Sequence, residues 1–146
     1  MQVAPYRHDI LIVDDSQAVR ESLGWLLQDE TDIKVVAEAA SGAEAMQLAV
    51  KLKPDVVILD IELPDIDGFA VTQLLKALPH PPIVILLSIH GDSISKKRGA
   101  LAGCDMFLEK GMTWPRLLER IQIVLKLSNK GKSKAANDQP PATTSS

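Results

Sequence analysis

The sequence predicts an α/β fold in which five parallel strands form one doubly wound sheet with helices on both faces. Two observations support this prediction. Short apolar runs alternate with amphipathic helical patterns five times between residues 9 and 128. In addition, four of the five apolar runs end on a polar or charged residue, where open α/β sheets bind their ligands.

Each predicted strand is a short run of apolar residues bounded by turn or capping residues. The run at 33–39 is interrupted by Lys34 and Glu38, a pattern typical of an edge strand. The runs at 10–13, 56–59 and 83–87 are continuous, as expected for strands buried on both faces. The five predicted strands are 10–13, 33–39, 55–59, 83–87 and 104–109.

The predicted helices begin at recognisable capping residues. Ser16 precedes the first helix, and Ser41 with Glu44 has the spacing of a capping box. Gly68 begins the third helix, and Thr113 caps the fifth. The fourth helix, within GDSISKKRGALAG, has few large apolar residues, so we expect it to be short, polar and comparatively mobile.

The order of the elements restricts the topology. Right-handed crossovers between parallel strands restrict the topology to a doubly wound sheet, and for this sheet we choose the flavodoxin-like strand order 2-1-3-4-5. Its switch point lies between strands 1 and 3. We expect residues 1–8 to be an extension, 9–128 to be one domain, and 129–146 to be a disordered polar tail or linker.

Composition excludes several classes of protein. The formal net charge is −3, and much of the basic charge of the last residues comes from Lys130, Lys132 and Lys134, which argues against nucleic-acid binding by the domain itself. No apolar run has the ~18 residues of a membrane span, and the N-terminus lacks a signal core. Cys104 is the single cysteine, which fits a reducing compartment, so we expect a cytoplasmic protein.

The polar residues at the strand ends form a candidate site. Asp14 and Asp15 follow strand 1, Asp60 follows strand 3, and Ser88 and Lys110 follow strands 4 and 5. Three neighbouring carboxylates need compensation, and Mg²⁺ supplies it because it prefers oxygen ligands.

Within that site we expect a division of roles. Asp15 and Asp60 are the predicted direct ligands of Mg²⁺, with Asp14 acting through water and the Glu62 backbone carbonyl supplying another oxygen. A carboxylate beside Mg²⁺ can also form an acyl phosphate. In that reaction Lys110 and Ser88 would contact the phosphoryl oxygens.

Each of these residues also has a simpler interpretation when taken alone. Asp14 and Asp15 could be acidic residues favoured at a helix N-terminus, and Asp60 could be a turn residue. Lys110 alone would be a solvated surface lysine, and Ser88 an ordinary cap. Their occurrence together at consecutive strand–helix junctions favours the functional interpretation.

The chain resembles the receiver domain of two-component response regulators, of the NarL/FixJ type. The matching segments are LIVDD at 11–15, VVILDIELPDIDG at 56–68, Ser88, and MFLEKG at 106–111, and the resemblance covers residues 9 to about 127. It implies that a sensor histidine kinase or a phosphotransfer protein phosphorylates Asp60, and that the chain hydrolyses this phosphate slowly. It further implies that Ser88 and Phe107 act as a switch, which remodels the surface of the fourth helix, fifth strand and fifth helix.

The sequence departs from the family pattern at three places. Gly111 follows Lys110 where relatives often carry a cis proline, and we expect a trans bond because a non-proline cis bond costs about 3 kcal/mol. Ile89 replaces a small residue, and its bulk could hinder movement of Phe107. Phe107 lacks the hydroxyl of the tyrosine found in many relatives.

Other functions stay open from the sequence. An aspartate-nucleophile phosphatase of the haloacid dehalogenase type would place its general acid at Glu62, and a degenerate receiver would act only as a binding module. The chain could also be the receiver part of a longer DNA-binding regulator, although we expect it to stand alone. A homodimer through the helix 4, strand 5 and helix 5 surface, or through helices 1 and 5, is compatible with the resemblance.

Overall fold

The computed structural model describes residues 7–138, with side chains described through residue 127. Five strands alternate with five helices along this part of the chain. The strands are β1 (His8–Val13), β2 (Ile33–Ala39), β3 (Val56–Asp60), β4 (Ile83–Ser88) and β5 (Met106–Glu109). The helices are α1 (Gln17–Leu27), α2 (Gly42–Leu52), α3 (Gly68–Lys76), α4 (Ser93–Ala102) and α5 (Trp114–Asp138).

The strands form one parallel sheet in the order β2-β1-β3-β4-β5, which confirms the predicted fold and topology. The pairing register places the strand ends side by side. Val13 of β1 pairs with Leu59 of β3, and Asp60 pairs with Leu87 of β4. The residues that follow β1, β3 and β4 therefore meet at one edge of the sheet, on both sides of the switch point between β1 and β3.

Alternate strand residues point to opposite faces of the sheet and build two apolar clusters. On one face, Ile10 and Ile12 of β1 pack with Ile58 and with residues of α1 and α5. On the other face, Leu11 and Val13 pack with residues of α2, α3 and α4. Because both faces of the sheet are covered, its central strands can be apolar throughout, as the sequence shows.

The helix starts explain where each strand–helix junction turns. Ser16 Oγ accepts a hydrogen bond from Val19 N at 3.3 Å, and Ser41 Oγ accepts one from Glu44 N at 3.2 Å, which confirms both predicted caps. Asp67 caps α3 and Asp92 caps α4 in the same way. These caps satisfy backbone N–H groups that have no partner within the helix.

The structure differs from the predicted elements at the last strand. The strand β5 begins at Met106 rather than at residue 104, because α4 ends at Gly103 in a left-handed conformation (φ 100°) and the chain then turns. Asp105 occupies this turn, where its carboxylate accepts hydrogen bonds from Val84 N and Lys76 Nζ at 2.8 and 2.9 Å. An apolar residue such as Cys104 extends the strand pattern in the sequence without belonging to the strand.

The C-terminal boundary also differs. The helix α5 continues to Asp138, past the predicted domain end at 128 and into the segment predicted to be disordered. The composition of this segment explains the longer helix, because lysine and alanine favour helix and the next proline is Pro140. The other parts of the predicted extension and tail, residues 1–6 and 139–146, lie outside the described residues, and the domain boundaries stay a prediction.

One further expectation is met within the described range. The peptide bond between Lys110 and Gly111 is trans, as are the other bonds of residues 7–138. Trp25, which lies off the apolar stripe of α1, is 73% exposed. No helix among the described residues combines the length and apolar character that a membrane crossing requires.

Trp25 lies in a groove between α1 and α5. The groove has a volume of about 610 Å³, and Trp114 at the start of α5 also lines it. The chain contains only two tryptophans, and both are therefore on this one face.

Candidate functional site

Three aspartates meet at the carboxyl ends of β1 and β3. Asp14, Asp15 and Asp60 each offer a carboxylate oxygen, and these oxygens lie within 4.8 Å of one another. Asp14 and Asp60 are buried, with 1% and 4% exposure, whereas Asp15 is exposed. The cluster is thus open to solvent on the side of Asp15.

Local hydrogen bonds turn the chain at the end of β1. Asp14 N donates to Ala39 O at 3.0 Å, which continues the pairing with β2 by one residue. Asp14 Oδ1 then accepts a hydrogen bond from Ser16 N at 2.9 Å. The chain turns here because the aspartate side chain binds the backbone N–H of the residue two positions later. This turn leads directly into α1 and leaves Asp14 Oδ2 directed toward Lys110.

The end of β3 is held by a close approach of the backbone. Gly68 N donates to Ile61 O at 2.6 Å, and a Cβ at position 68 would lie 2.5 Å from Ile61 Cα. Only glycine fits this contact. Asp60 Oδ1 accepts from Glu62 N at 3.1 Å, which fixes the orientation of the Asp60 carboxylate.

One ammonium group is shared by two buried carboxylates. Lys110 Nζ lies 2.9 Å from Asp14 Oδ2 and 3.2 Å from Asp60 Oδ2. The backbone places it there, because Lys110 N donates to Ser88 O at 2.8 Å and so extends the pairing of β5 with β4. Burial lowers the pKa of the Lys110 ammonium, but the hydrogen bond to Asp14 and the charge of Asp60 outweigh burial, and the pKa is raised.

At Asp60, in contrast, burial prevails over the favourable hydrogen bonds and charges. Burial raises the pKa of the Asp60 carboxyl, and the neighbouring charge of Asp14 adds to this effect. The hydrogen bond from Glu62 N and the ion pair with Lys110 act against it, but the pKa stays above the ordinary value of 3.8. Asp60 therefore combines a buried carboxylate with an elevated proton affinity, a combination typical of functional sites.

Ser88 lies at the end of β4, one residue beyond the pairing partner of Asp60. It is 2% exposed, and its Oγ accepts a hydrogen bond from His90 N at 2.8 Å. Ile89 between them is 64% exposed, so its bulk is mostly outside the packed interior in this conformation.

Phe107 of β5 is half-buried and packs against the core cluster on the α4 side of the sheet. A Cβ at Gly99 of α4 would lie 3.1 Å from Phe107 Cδ2 and 3.2 Å from Leu86 Cδ1. The absence of a side chain at Gly99 lets α4 lie directly over the Phe107 ring. A change in the position of this ring would therefore require α4 to shift.

The donor set of the cluster fits Mg²⁺. Three carboxylates supply hard oxygen ligands, and Mg²⁺ is often held by one or two carboxylates together with water and phosphate. Glu62 is adjacent to the cluster through its hydrogen bond to Asp60, while its exposed carboxylate lies 3.4 Å from His90 Nε2. All the predicted site residues thus lie at or next to this edge of the sheet, and the assignment of their roles stays a prediction.

Sequence reasoning missed one contact at this site. The sequence alone assigns no role to Asp65 in the β3–α3 loop, but the Asp65 carboxylate accepts hydrogen bonds from backbone N–H groups at the start of α2. The two partners are more than twenty residues away in the chain, so no local sequence signal indicates the contact.

Comparison with known proteins identifies the domain. A family model for the response regulator receiver domain matches residues 10–122. A protein-glutamate methylesterase/protein-glutamine glutaminase from Syntrophus aciditrophicus is 39% identical over 103 residues, covering 69% of this chain and 29% of that protein. The transcriptional regulatory protein LiaR of Bacillus subtilis is 38% identical over 84 residues, covering 57% of this chain and 40% of LiaR. The chain thus spans well under half the length of these two relatives.

Solved structures give the same result for the fold. The signal receiver domain of a response regulator NarL from Mycobacterium tuberculosis superposes with a TM-score of 0.79 at 28% identity, covering 84% of this chain and 98% of that chain. The response regulator domain of Thermotoga maritima CheB superposes with a TM-score of 0.72 at 31% identity, covering 80% and 94%.

Proposed function

This chain belongs to the response regulator receiver domain family, and we propose that it is a signalling switch in which Asp60 accepts a phosphoryl group from a sensor histidine kinase or a phosphotransfer protein. The observation that supports this most directly is the environment of Asp60. Its carboxylate is buried at a strand end, lies 3.2 Å from the Lys110 ammonium, and belongs to a cluster of three carboxylates suited to Mg²⁺.

The reaction would be an in-line transfer. An oxygen of the Asp60 carboxylate attacks the phosphorus, and the new O–P bond forms as the bond from phosphorus to the imidazole nitrogen of the donor breaks. The electron pair of that bond returns to the imidazole. The product on this chain is an acyl phosphate, which water slowly hydrolyses to restore the carboxylate.

The residues of the chain would share the stabilisation of the transferred group. Mg²⁺, held by Asp15, Asp60 and the Glu62 carbonyl and by Asp14 through water, would neutralise charge on the phosphoryl oxygens. Lys110 offers a fixed ammonium group beside Asp60, and removing this cation would leave two buried carboxylates unpaired. Ser88 contributes its hydroxyl after it gives up the hydrogen bond from His90 N.

The signal would leave the site through Ser88 and Phe107. Inward movement of the Ser88 hydroxyl vacates space into which the Phe107 ring can turn. The close packing of Gly99 over this ring supports a coupled shift of α4, and with it of the surface formed by α4, β5 and α5. Phe107 can transmit this change by packing alone, because it has no hydroxyl to bind a partner.

Phosphorylation of Asp60 is tested by incubation of the protein with acetyl phosphate and Mg²⁺. We expect the wild type to gain the mass of one phosphoryl group, and we expect Asp60→Asn to gain none because the amide is not a nucleophile. Intact-protein mass spectrometry measures both. Asp29→Asn, which changes an exposed aspartate just beyond the end of α1, is the matched control and should be labelled like the wild type.

Labelling of Asp60→Asn at the wild-type rate would contradict the assignment. Continuous turnover of a phosphate ester, instead of labelling at one group per chain, would favour the phosphatase alternative with Glu62 as acid. Mass spectrometry of the samples labelled with acetyl phosphate, and a separate phosphate-release assay with a phosphate ester as substrate, distinguish these outcomes.

The output of the switch is a further part of the proposal. Relatives that share this domain include a methylesterase and a transcriptional regulator, so the same receiver serves different effectors. We expect this domain to act through protein contacts, without direct nucleic-acid binding by the described residues. A downstream partner or a second copy of the domain would recognise the surface of α4, β5 and α5, or that of α1 and α5.

A further inference from the structure

We propose that Asp65 is a positioning residue, which ties the β3–α3 loop to the N-terminus of α2 and thereby holds the Glu62 carbonyl beside the aspartate cluster. This inference rests on the proposed Mg²⁺ site. The loop, residues 61–67, follows directly after the phosphoacceptor and carries the one predicted metal ligand that is a backbone atom. A backbone ligand has no rotamer to adjust, so its position depends on what fixes the loop.

The contact between Asp65 and α2 uses both carboxylate oxygens. Oδ1 accepts from Gly42 N at 2.8 Å, and Oδ2 accepts from Ala43 N at 2.9 Å. Oδ1 also accepts from Ile66 N at 2.9 Å, which orients the side chain within its own loop. The hydrogen bonds from Ala43 N and Gly42 N lower the pKa of Asp65, so its carboxylate is ionised at neutral pH.

The start of α2 is shaped to receive the loop. A Cβ at Gly42 would lie 3.0 Å from Val71 Cγ2, 3.2 Å from Ile66 Cβ and 3.3 Å from Asp65 Oδ1. Glycine at this position therefore allows the loop and α3 to approach the helix closely. The contact also places a negative charge at a helix N-terminus, where the helix dipole favours it.

Within the loop, Leu63 and Ile66 pack against the core cluster, and Ile61 N donates to Leu87 O of β4 at 3.2 Å. The other hydrogen bonds of the loop lie at its ends. Glu62 N is bonded to Asp60 Oδ1 at one end, and Gly68 N is bonded to Ile61 O where α3 begins. Between these points, Asp65 provides the hydrogen bonds from the loop to a neighbouring element among those described. The exposed side chain of Glu62 gives little packing to hold its own carbonyl, so the tie at Asp65 limits how far the carbonyl can move.

A purely structural alternative is that Asp65 only caps α2. The chain offers a matched control, because Ser41 caps the same helix through Glu44 N at 3.2 Å and has no contact with the loop among the described hydrogen bonds. Loss of either cap weakens the start of α2. Only loss of Asp65 should loosen the loop and the proposed metal ligand.

The test compares Asp65→Ala, Asp65→Asn and Ser41→Ala with the wild type, in the full chain. Isothermal titration calorimetry measures Mg²⁺ binding, and amide hydrogen exchange in metal-free buffer measures the protection of residues 61–67. Removing a group that supports a metal ligand weakens affinity by about tenfold, which is the expected increase in the Mg²⁺ dissociation constant for Asp65→Ala. Asp65→Asn retains one acceptor oxygen and should fall between this variant and the wild type.

Phosphorylation by acetyl phosphate gives the second readout. The Mg²⁺ concentration for half-maximal rate should rise in Asp65→Ala, while the rate at saturating Mg²⁺ should stay close to that of the wild type. Ser41→Ala should leave both values and the loop protection unchanged. Equal changes in Ser41→Ala and Asp65→Ala would overturn the proposal.

Failure of the proposed site can be told apart from failure of this inference. If the wild type bound no Mg²⁺, the proposed metal site would be wrong. Faster amide exchange of residues 61–67 in Asp65→Ala alone would then still support the tie between the loop and α2. Unchanged exchange in that variant would overturn it.

Discussion

At the scale of single residues, the site is governed by a shortage of positive charge. Asp14 and Asp60 are both buried, and the same ammonium group of Lys110 contacts the two of them. One cation cannot fully compensate two carboxylates and the nearby Asp15. Burial raises the pKa of Asp60, and the charge of Asp14 adds to this effect, whereas a bound Mg²⁺ would favour the ionised carboxylate.

This shortage predicts that Asp60→Asn stabilises the metal-free protein at neutral pH. A carboxyl whose folded pKa exceeds its ordinary 3.8 stabilises the fold only while protonated, and this contribution is lost as the pH rises through the folded pKa. The wild type therefore carries an ionised, poorly compensated Asp60 at neutral pH, and the amide does not. We therefore expect Asp60→Asn to have the higher unfolding free energy in urea titration.

The pH dependence provides the control for that prediction. The difference between Asp60→Asn and the wild type should shrink as the pH falls toward the ordinary aspartate range, where both side chains are neutral. A difference that is constant with pH, or a less stable variant at neutral pH, would show that charge at Asp60 does not limit stability.

The sequence predicts most of the residues that meet at this edge, and the reason is topological. Asp14, Asp60 and Lys110 directly follow or end apolar runs, and parallel strands bring their carboxyl ends together. Asp65 was missed because its partners lie on α2, and contacts between distant elements depend on packing that no local pattern records.

At the scale of helices and strands, the glycines show where close packing is required and where it is not. A Cβ at Gly68 would lie 2.5 Å from Ile61 Cα and 2.6 Å from Asp60 O, both backbone atoms. Gly24 lies inside α1. Apart from its chain neighbours and the backbone of its own helix, a Cβ at Gly24 would have no atom within 4 Å. The same substitution should therefore have opposite effects in the two helices.

We expect Gly24→Ala to stabilise the protein by about 0.5–1 kcal/mol, because alanine loses less backbone entropy on folding. Gly68→Ala should destabilise it by roughly 1–3 kcal/mol, because the backbone of the β3–α3 loop must shift. Urea unfolding of both variants measures these changes. Similar effects at the two positions would contradict the packing described for Gly68.

Element boundaries were predicted best where capping residues and buried strands coincide. Ser16 and Ser41 mark the starts of α1 and α2 correctly. The start of β5 was predicted two residues early, since Cys104 continues the apolar pattern while the turn after Gly103 has already begun. The helix α5 continues beyond residue 128 to Asp138, where the sequence offers helix propensity without an apolar stripe to indicate packing.

At the scale of the whole molecule, metal binding should be coupled to stability. A ligand that binds only the folded state adds RT ln(1 + [L]/Kd), which is about 2.7 kcal/mol when Mg²⁺ is a hundredfold above its dissociation constant. For a domain of this size such a gain raises the midpoint of thermal unfolding by several degrees. The carboxylate cluster unites β1 and β3 at the centre of the sheet, so the gain should appear in one cooperative transition.

Thermal unfolding followed by circular dichroism, with Mg²⁺ and with excess chelator, tests this coupling. We expect the shift between the two conditions in the wild type and in Asp29→Asn. Asp15→Asn, which removes the exposed carboxylate of the cluster while leaving the buried core unchanged, should show little shift. An equal shift in Asp15→Asn would mean that Mg²⁺ binds elsewhere.

The groove between α1 and α5 has a consequence for optical experiments. Both tryptophans of the chain line it, and neither belongs to the aspartate cluster. Their emission spectrum is therefore set by the polarity of this groove, and quenching by small solutes measures how open it is. Intrinsic fluorescence should accordingly report on occupancy of the α1–α5 face by another protein, and only indirectly on the ionic state of Asp60.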